Sequence, residues 1–150
     1  MNKPIKRHKA LHSLSHDHHH GLILAQLSKK GSPEYQNLPT TIDGKKNYAI
    51  RFYHDKLIRH FADEEKVLYP AVKGKDEEVD KLFDEIIKEH RKIESFITQL
   101  ESEEDVENIL DKLGNILESH IRKEERELFV KIQTILTEEE LKDIEEQLTG

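Results

Sequence analysis

Apolar residues recur along this chain at intervals of three and four, the period of a helix that buries one face, in four long blocks. From about Lys9 to Lys30 the stripe is Leu11, Leu14, Leu22 and Ala25, with His18 in its middle, and Gly31 follows as a C-terminal stop. From about Lys46 to Tyr69 it is Ile50, Tyr53, Leu57, His60, Phe61, Glu64 and Leu68, with Pro70 at or just beyond the end. The third block, Glu77 to Glu101, carries Val79, Leu82, Phe83, Ile86, His90, Ile93, Ile97 and Leu100. The fourth, Val106 to Leu136, carries Leu110, Leu113, Leu117, His120, Glu124, Leu128 and Ile135. Thr137-Glu-Glu-Glu140 is a capping-box pattern and predicts a short fifth helix. The stretch Ser32 to Gly44, with Pro33, Asn37, Pro39 and Asp43, reads as one long connection, and the polar first residues as an arm. The pattern therefore predicts an all-α fold, an antiparallel up-down four-helix bundle with a short C-terminal fifth helix. It is expected to form one domain over residues 1–150, with an arm at 1–8, the bundle at 9–136 and the short helix at 137–149.

The polar residues on these stripes change the picture. A bundle interior should be apolar, yet each long helix turns a His inward and two of them also turn a Glu. Burying such groups without partners costs several kcal/mol each, about half of a small protein's net stability apiece. A bound cation removes the penalty, because imidazole nitrogens and carboxylate oxygens become its ligands. The candidate metal ligands are His18, His60, Glu64, His90, His120 and Glu124.

Their order is repetitive. His60-Phe-Ala-Asp-Glu64-Glu65-Lys-Val-Leu68-Tyr69 returns as His120-Ile-Arg-Lys-Glu124-Glu125-Arg-Glu-Leu128-Phe129. Positions four apart lie one turn apart on the same helix face, so each copy presents an imidazole beside a carboxylate. Glu is abundant here, and His90 with Glu94 has the same spacing, so the spacing alone says little. The longer match, together with one preceding His per half, repeats one ligand set and suits a two-metal site with bridging carboxylates. His19 is the substitute for His18, and the run His16, His18, His19, His20 also reads as a solvated or weakly metal-binding tract. Glu65, Glu94 and Glu125 fall at stripe edges, as solvated groups or as hydrogen-bond partners of a ligand His. Tyr53 reads as packing rather than as part of the site, and His8, His12 and His54 as surface residues.

Composition excludes other classes. The 150 residues are 37% charged and 35% hydrophobic with a net charge of -7, a balance that argues against nucleic acid and anionic membrane. The absence of Cys rules out disulfides, thiol catalysis and iron–sulfur clusters. No apolar run reaches spanning length and no secretion signal opens the chain, so a cytoplasmic location is expected. Nothing points to a particular protein partner.

Leu14-x-x-Asp17-His18, His60-Phe-x-x-Glu64-Glu65, Glu89-His90 and His120-Ile-x-Lys-Glu124-Glu125 resemble the hemerythrin-like, or HHE cation-binding, domain, over about His8 to Leu136. The resemblance implies a four-helix bundle around a non-haem di-iron centre, with Glu64 and Glu124 as bridges and the four His as terminal ligands. Classical oxygen-carrying hemerythrins place two His four apart on the third helix and an Asp on the fourth. Here Ile86 and Glu94 flank His90, and Glu124 stands in the acid position, which leaves one imidazole fewer and argues against reversible oxygen carriage.

Nitrogen and carboxylate ligands without sulfur suit iron, manganese or zinc. Shared carboxylates with too few ligands to fill both coordination spheres favour two iron ions with an open position. A bundle core has little room, so dioxygen, nitric oxide or peroxide are the expected ligands. The expected function is binding or sensing of dioxygen, nitric oxide or iron rather than turnover. Two alternatives stand beside it. One is a di-iron oxidase or peroxidase-type enzyme, for which the chain offers no Cys relay, flavin motif or nucleotide motif. The other is a metal-free helical interaction module.

Overall fold

The computed structural model describes residues 6–149, so residues 1–5 of the expected arm lie outside the described residues. The described chain is helical, with no strand among these residues. A 3-10 turn, Lys9–Leu11, leads into α1 (His12–Ser28). Helix α2 runs continuously over 42–72, α3 is Glu77–Glu101, α4 runs over 106–135, and α5 is Glu138–Thr149.

Most ends lie where the sequence places them, each for a local reason. Asp76 caps α3 by accepting from the Val79 N–H at 3.1 Å. The predicted capping box opens α5: Thr137 Oγ accepts from the Glu140 N–H at 3.1 Å and Glu140 accepts from the Thr137 N–H at 3.0 Å. Gly31 follows α1 with φ of 71°, a left-handed conformation that favours glycine.

Helix α2 departs from expectation at both ends. It starts at Ile42 because Thr41 Oγ caps the Gly44 N–H at 3.0 Å, which shortens the expected loop. It passes Pro70 and ends at Val72; Pro70 is exposed and falls in the first turn of the α-helical segment that resumes after the π turn, where proline is tolerated.

The helices do not keep one pitch. The turns Tyr53–Leu57 and Glu64–Leu68 in α2 and Glu124–Leu128 in α4 are π-helical. In an ideal α-helix each four-residue step drifts by about 40° around the axis, so His60, Glu64 and Leu68 would spiral away from one face. A wider π turn cancels that drift and keeps the series inward, in keeping with the frequent occurrence of π turns at functional sites.

Two apolar clusters flank the level of the inward His and Glu. The first gathers Leu11 and Leu14, Leu68 and Val72, Phe83 and Ile86, and Leu128, Phe129 and Ile132, and is sealed by Leu141 and Ile144 of α5. The second gathers Leu24 and Ala25, Ala49, Leu57 and Phe61, Ile93 and Ile97, and Leu110, Leu113, Leu117 and Ile121. Along α1 and α3 the chain passes from the first cluster to the second; along α2 and α4 it passes back. Ile135, expected inward, is half-buried, and Ile132 and Leu136 take the core positions.

Helices α1 and α4 approach closely because two glycines permit it. A Cβ on Gly114 would lie 2.6 Å from the Ala25 carbonyl oxygen, and one on Gly21 would lie 2.7 Å from Ile121 Cδ1. No described helix is long and apolar enough to cross a membrane.

Candidate metal centre

Between the two apolar clusters lies a polar layer. His18, His60, Glu64, His90, His120 and Glu124 all turn into it and are buried, from 4% exposed for His18 to 0% for His90 and both Glu. The structure therefore brings together every residue that the stripes single out. His18 and not His19 faces inward; His19 is exposed.

Ligand atoms of these residues form two groups capable of holding a cation, each with its atoms within 4.8 Å of one another. One is His18, His60, Glu64 and Glu124; the other is Glu64, His90, His120 and Glu124. Both groups contain both carboxylates, and each takes its two His from one half of the chain.

The inward atoms face each other poorly. His90 Nε2 lies 3.0 Å from Glu64 Oε1, a hydrogen bond. The other contacts are looser or misaligned: His60 Nε2 to Glu64 at 3.4 Å, His18 Nε2 to Glu124 at 3.6 Å, and His120 Nε2 to Glu124 at 2.6 Å without hydrogen-bond geometry. Nε2 of His18, His60 and His120, Oε2 of Glu64 and both oxygens of Glu124 thus have no hydrogen-bond partner among the described residues. Orphaned buried acceptors in such number are what a cation satisfies, and the donor set of imidazole and carboxylate fits iron, manganese or zinc.

The outward ring nitrogens are, by contrast, all engaged. Nδ1 of His18 meets Glu125 at 2.7 Å, that of His60 meets Asp17 at 3.1 Å, that of His90 meets Glu65 at 2.7 Å, and that of His120 meets Glu89 at 2.7 Å. A carboxylate on Nδ1 fixes the ring, and in a neutral imidazole it takes the N–H and leaves the Nε2 lone pair available to a cation. The carboxylates are held in turn: Glu125 accepts from Ser15 Oγ at 2.7 Å, Glu89 from Lys123 Nζ at 2.7 Å, and Glu65 from Arg91.

Glu65 and Glu125 therefore act as hydrogen-bond partners of inward His, one of the two roles open to them from sequence. Glu94 does not; it pairs with Arg91 at 3.4 Å. Asp17 and Glu89 were missed in this role. Their signal was present, an acid immediately before the stripe His on both α1 and α3.

Aromatic rings close the layer. Phe61 stacks on His90 with centroids 3.9 Å apart, and Phe129 stacks on His18 at 5.4 Å. Tyr53 packs against the second apolar cluster, as expected. His12 and His54 are exposed as expected, but His8 is half-buried: its Nδ1 accepts from the Ala10 N–H at 3.0 Å and its Nε2 meets Glu138 at 3.0 Å.

Electrostatics within the layer are those of compensated burial. Burial opposes a charge on His60, but Glu64 and Asp17 outweigh it and raise the imidazole to about 9. Burial likewise opposes a charge on Glu64, and His60 and His90 overcome it, holding the carboxyl well below its usual range. His120 is pushed down by burial. Burial opposes a charge on Asp17, Glu89 and Glu125, yet all three fall below the usual carboxylate range, because the His that each one meets is joined by Arg59 and Lys56 at Asp17, by Lys123 at Glu89, and by Ser15 and Arg7 at Glu125.

Beside the layer is a cavity of about 10 Å³, lined by Asp17, His18, Gly21, Leu57, His60, Phe61, Leu117, His120 and Ile121. That is room for about one water-sized molecule.

No curated protein and no solved structure matches the chain. The family description "Hemerythrin HHE cation binding domain" matches residues 10–132, a span that includes the inward His and Glu of all four long helices. The chain belongs to the hemerythrin HHE cation-binding family.

Proposed function

We propose that this chain is a non-haem di-iron protein that binds or senses a small ligand, dioxygen or nitric oxide, or responds to iron itself. One observation carries the reading: buried ligand atoms, most of them without a hydrogen-bond partner, fall into two groups that share Glu64 and Glu124. In this reading His18 and His60 would hold one ion and His90 and His120 the other, with Glu64 and Glu124 available to both. The alternating order of the apolar clusters along successive helices supports an antiparallel up-down four-helix bundle, with α5 as a cap. The matched span supports a single domain.

When bound, a pair of ferrous ions supplies an electron-rich centre to which a diatomic ligand coordinates. The protein supplies the rest. Asp17, Glu65, Glu89 and Glu125 orient the imidazoles and raise their basicity as ligands. Phe61, Leu57, Leu117 and Ile121 line the cavity and keep it small, which favours a diatomic ligand over an organic substrate.

The test is metal content and visible absorption of the reduced, anaerobically reconstituted chain before and after exposure to dioxygen or nitric oxide. Two irons per chain and a ligand-dependent absorption change are expected. Less than half an iron per chain would overturn the di-iron reading.

A further inference from the structure

His8, His12, His16 and His20 fall at four-residue intervals, with His19 beside the last. At about 100° per residue, positions 12, 16 and 20 share one face of α1, opposite Leu14, His18 and Ala25. His12, His16, His19 and His20 are exposed. The polar layer uses none of them.

Their surroundings select a pair. His8 is engaged at both ring nitrogens. His12 Nε2 lies 3.0 Å from the Arg7 carbonyl oxygen and donates to it. His16 and His20 have no such contact among the described residues; their rings lie with centroids 5.1 Å apart, nearly perpendicular at 78°. His19 touches His20 at 5.5 Å but is three residues, not four, from His16. Two imidazoles four apart on a helix can both direct a ring nitrogen to one ion, the spacing by which helices hold zinc.

We infer that His16 and His20 form a second, exchangeable metal site on the outer face of α1, taking a divalent transition ion such as nickel, zinc or copper. Imidazole without thiolate or carboxylate suits these borderline ions, and water completes their coordination. An ion there ties together the two turns of α1 that flank His18. The site is independent of the buried layer, because its side chains leave the opposite face of the helix.

The test uses the full chain in equilibrium dialysis against nickel(II), with bound metal counted in the natural protein and in the double variant His16→Gln/His20→Gln. Both positions are exposed, so the variant folds, and taking the difference cancels any nickel entering the buried layer. The natural chain should bind one more nickel than the variant. Either single change should weaken that nickel by about 100-fold, the cost of losing an intramolecular second ligand. His19→Gln and the distant control His54→Gln should leave it unchanged. Equal nickel counts in the natural and double-variant chains would overturn the site. So would a nickel-dependent dimer with one ion per two chains in sedimentation velocity, or a loss with His19→Gln as large as with His20→Gln.

Discussion

The polar layer and the apolar cluster beneath it lie in the same helices, one turn apart, and solve opposite problems. Phe83, Leu68 and Leu128 are fully buried among apolar side chains, with half-buried Tyr69 and Leu82 at the edge, and the packing is complete in itself. Around Glu64 and Glu124 burial is equally complete, yet several polar atoms meet no partner. Burial contributes stability in the first region and costs it in the second. The comparison separates what holds the fold from what the fold holds: the clusters stabilise the helices, and that stability keeps the layer in a geometry it would not adopt by itself.

Removing both carboxylates should break the comparison most severely. Glu64→Ala/Glu124→Ala should abolish iron binding in the layer, read as iron per chain after reconstitution, while the metal-free variant keeps the helical circular dichroism and midpoint of the metal-free natural chain. A metal-free variant that melts much earlier would show the layer to be self-sufficient. Next in size is a change in the apolar region. Phe83→Ala should cost about 3–5 kcal/mol in urea unfolding, and the folded variant should take up the same number of metal ions as the natural chain. A reduced metal number would mean that the two regions are not separable. The smallest effect should come from the outer carboxylates. Glu89→Gln keeps the volume but weakens the anchor on His120 Nδ1, and should lower metal affinity by about 10–100-fold in chelator competition, with little change in metal-free stability. An unchanged affinity would reduce Glu89 to a partner of Lys123.

The stripes made the fold and the inward residues legible, because burial of one helix face requires a 3.6-residue period and each polar interruption stands out against it. His18 separated from His16, His19 and His20 on this ground alone. What stayed hidden depends on neighbouring helices. Glu65 looks like an edge residue until α3 brings His90 to it, and Asp17 serves α2, not the His beside it in sequence. Gly21 and Gly114 read as ordinary helix positions, since only the closeness of α1 to α4 gives them a purpose. The π turns had a faint trace in the series His60, Glu64, Leu68, whose repeated four-residue steps do not fit an α-helix. The half-buried His8 depends on Glu138, near the far end of the chain.

The carboxylates on Nδ1 pass in one direction around the molecule: α1 supports the His of α2, α2 that of α3, α3 that of α4, and α4 that of α1. No half of the chain is self-contained, for His18 of the first half relies on Glu125 of the second, and His90 of the second relies on Glu65 of the first. Loosening any one helix therefore deprives at least one of the four imidazoles of its Nδ1 partner, so the direction of all four inward Nε2 atoms is set only with all four helices docked.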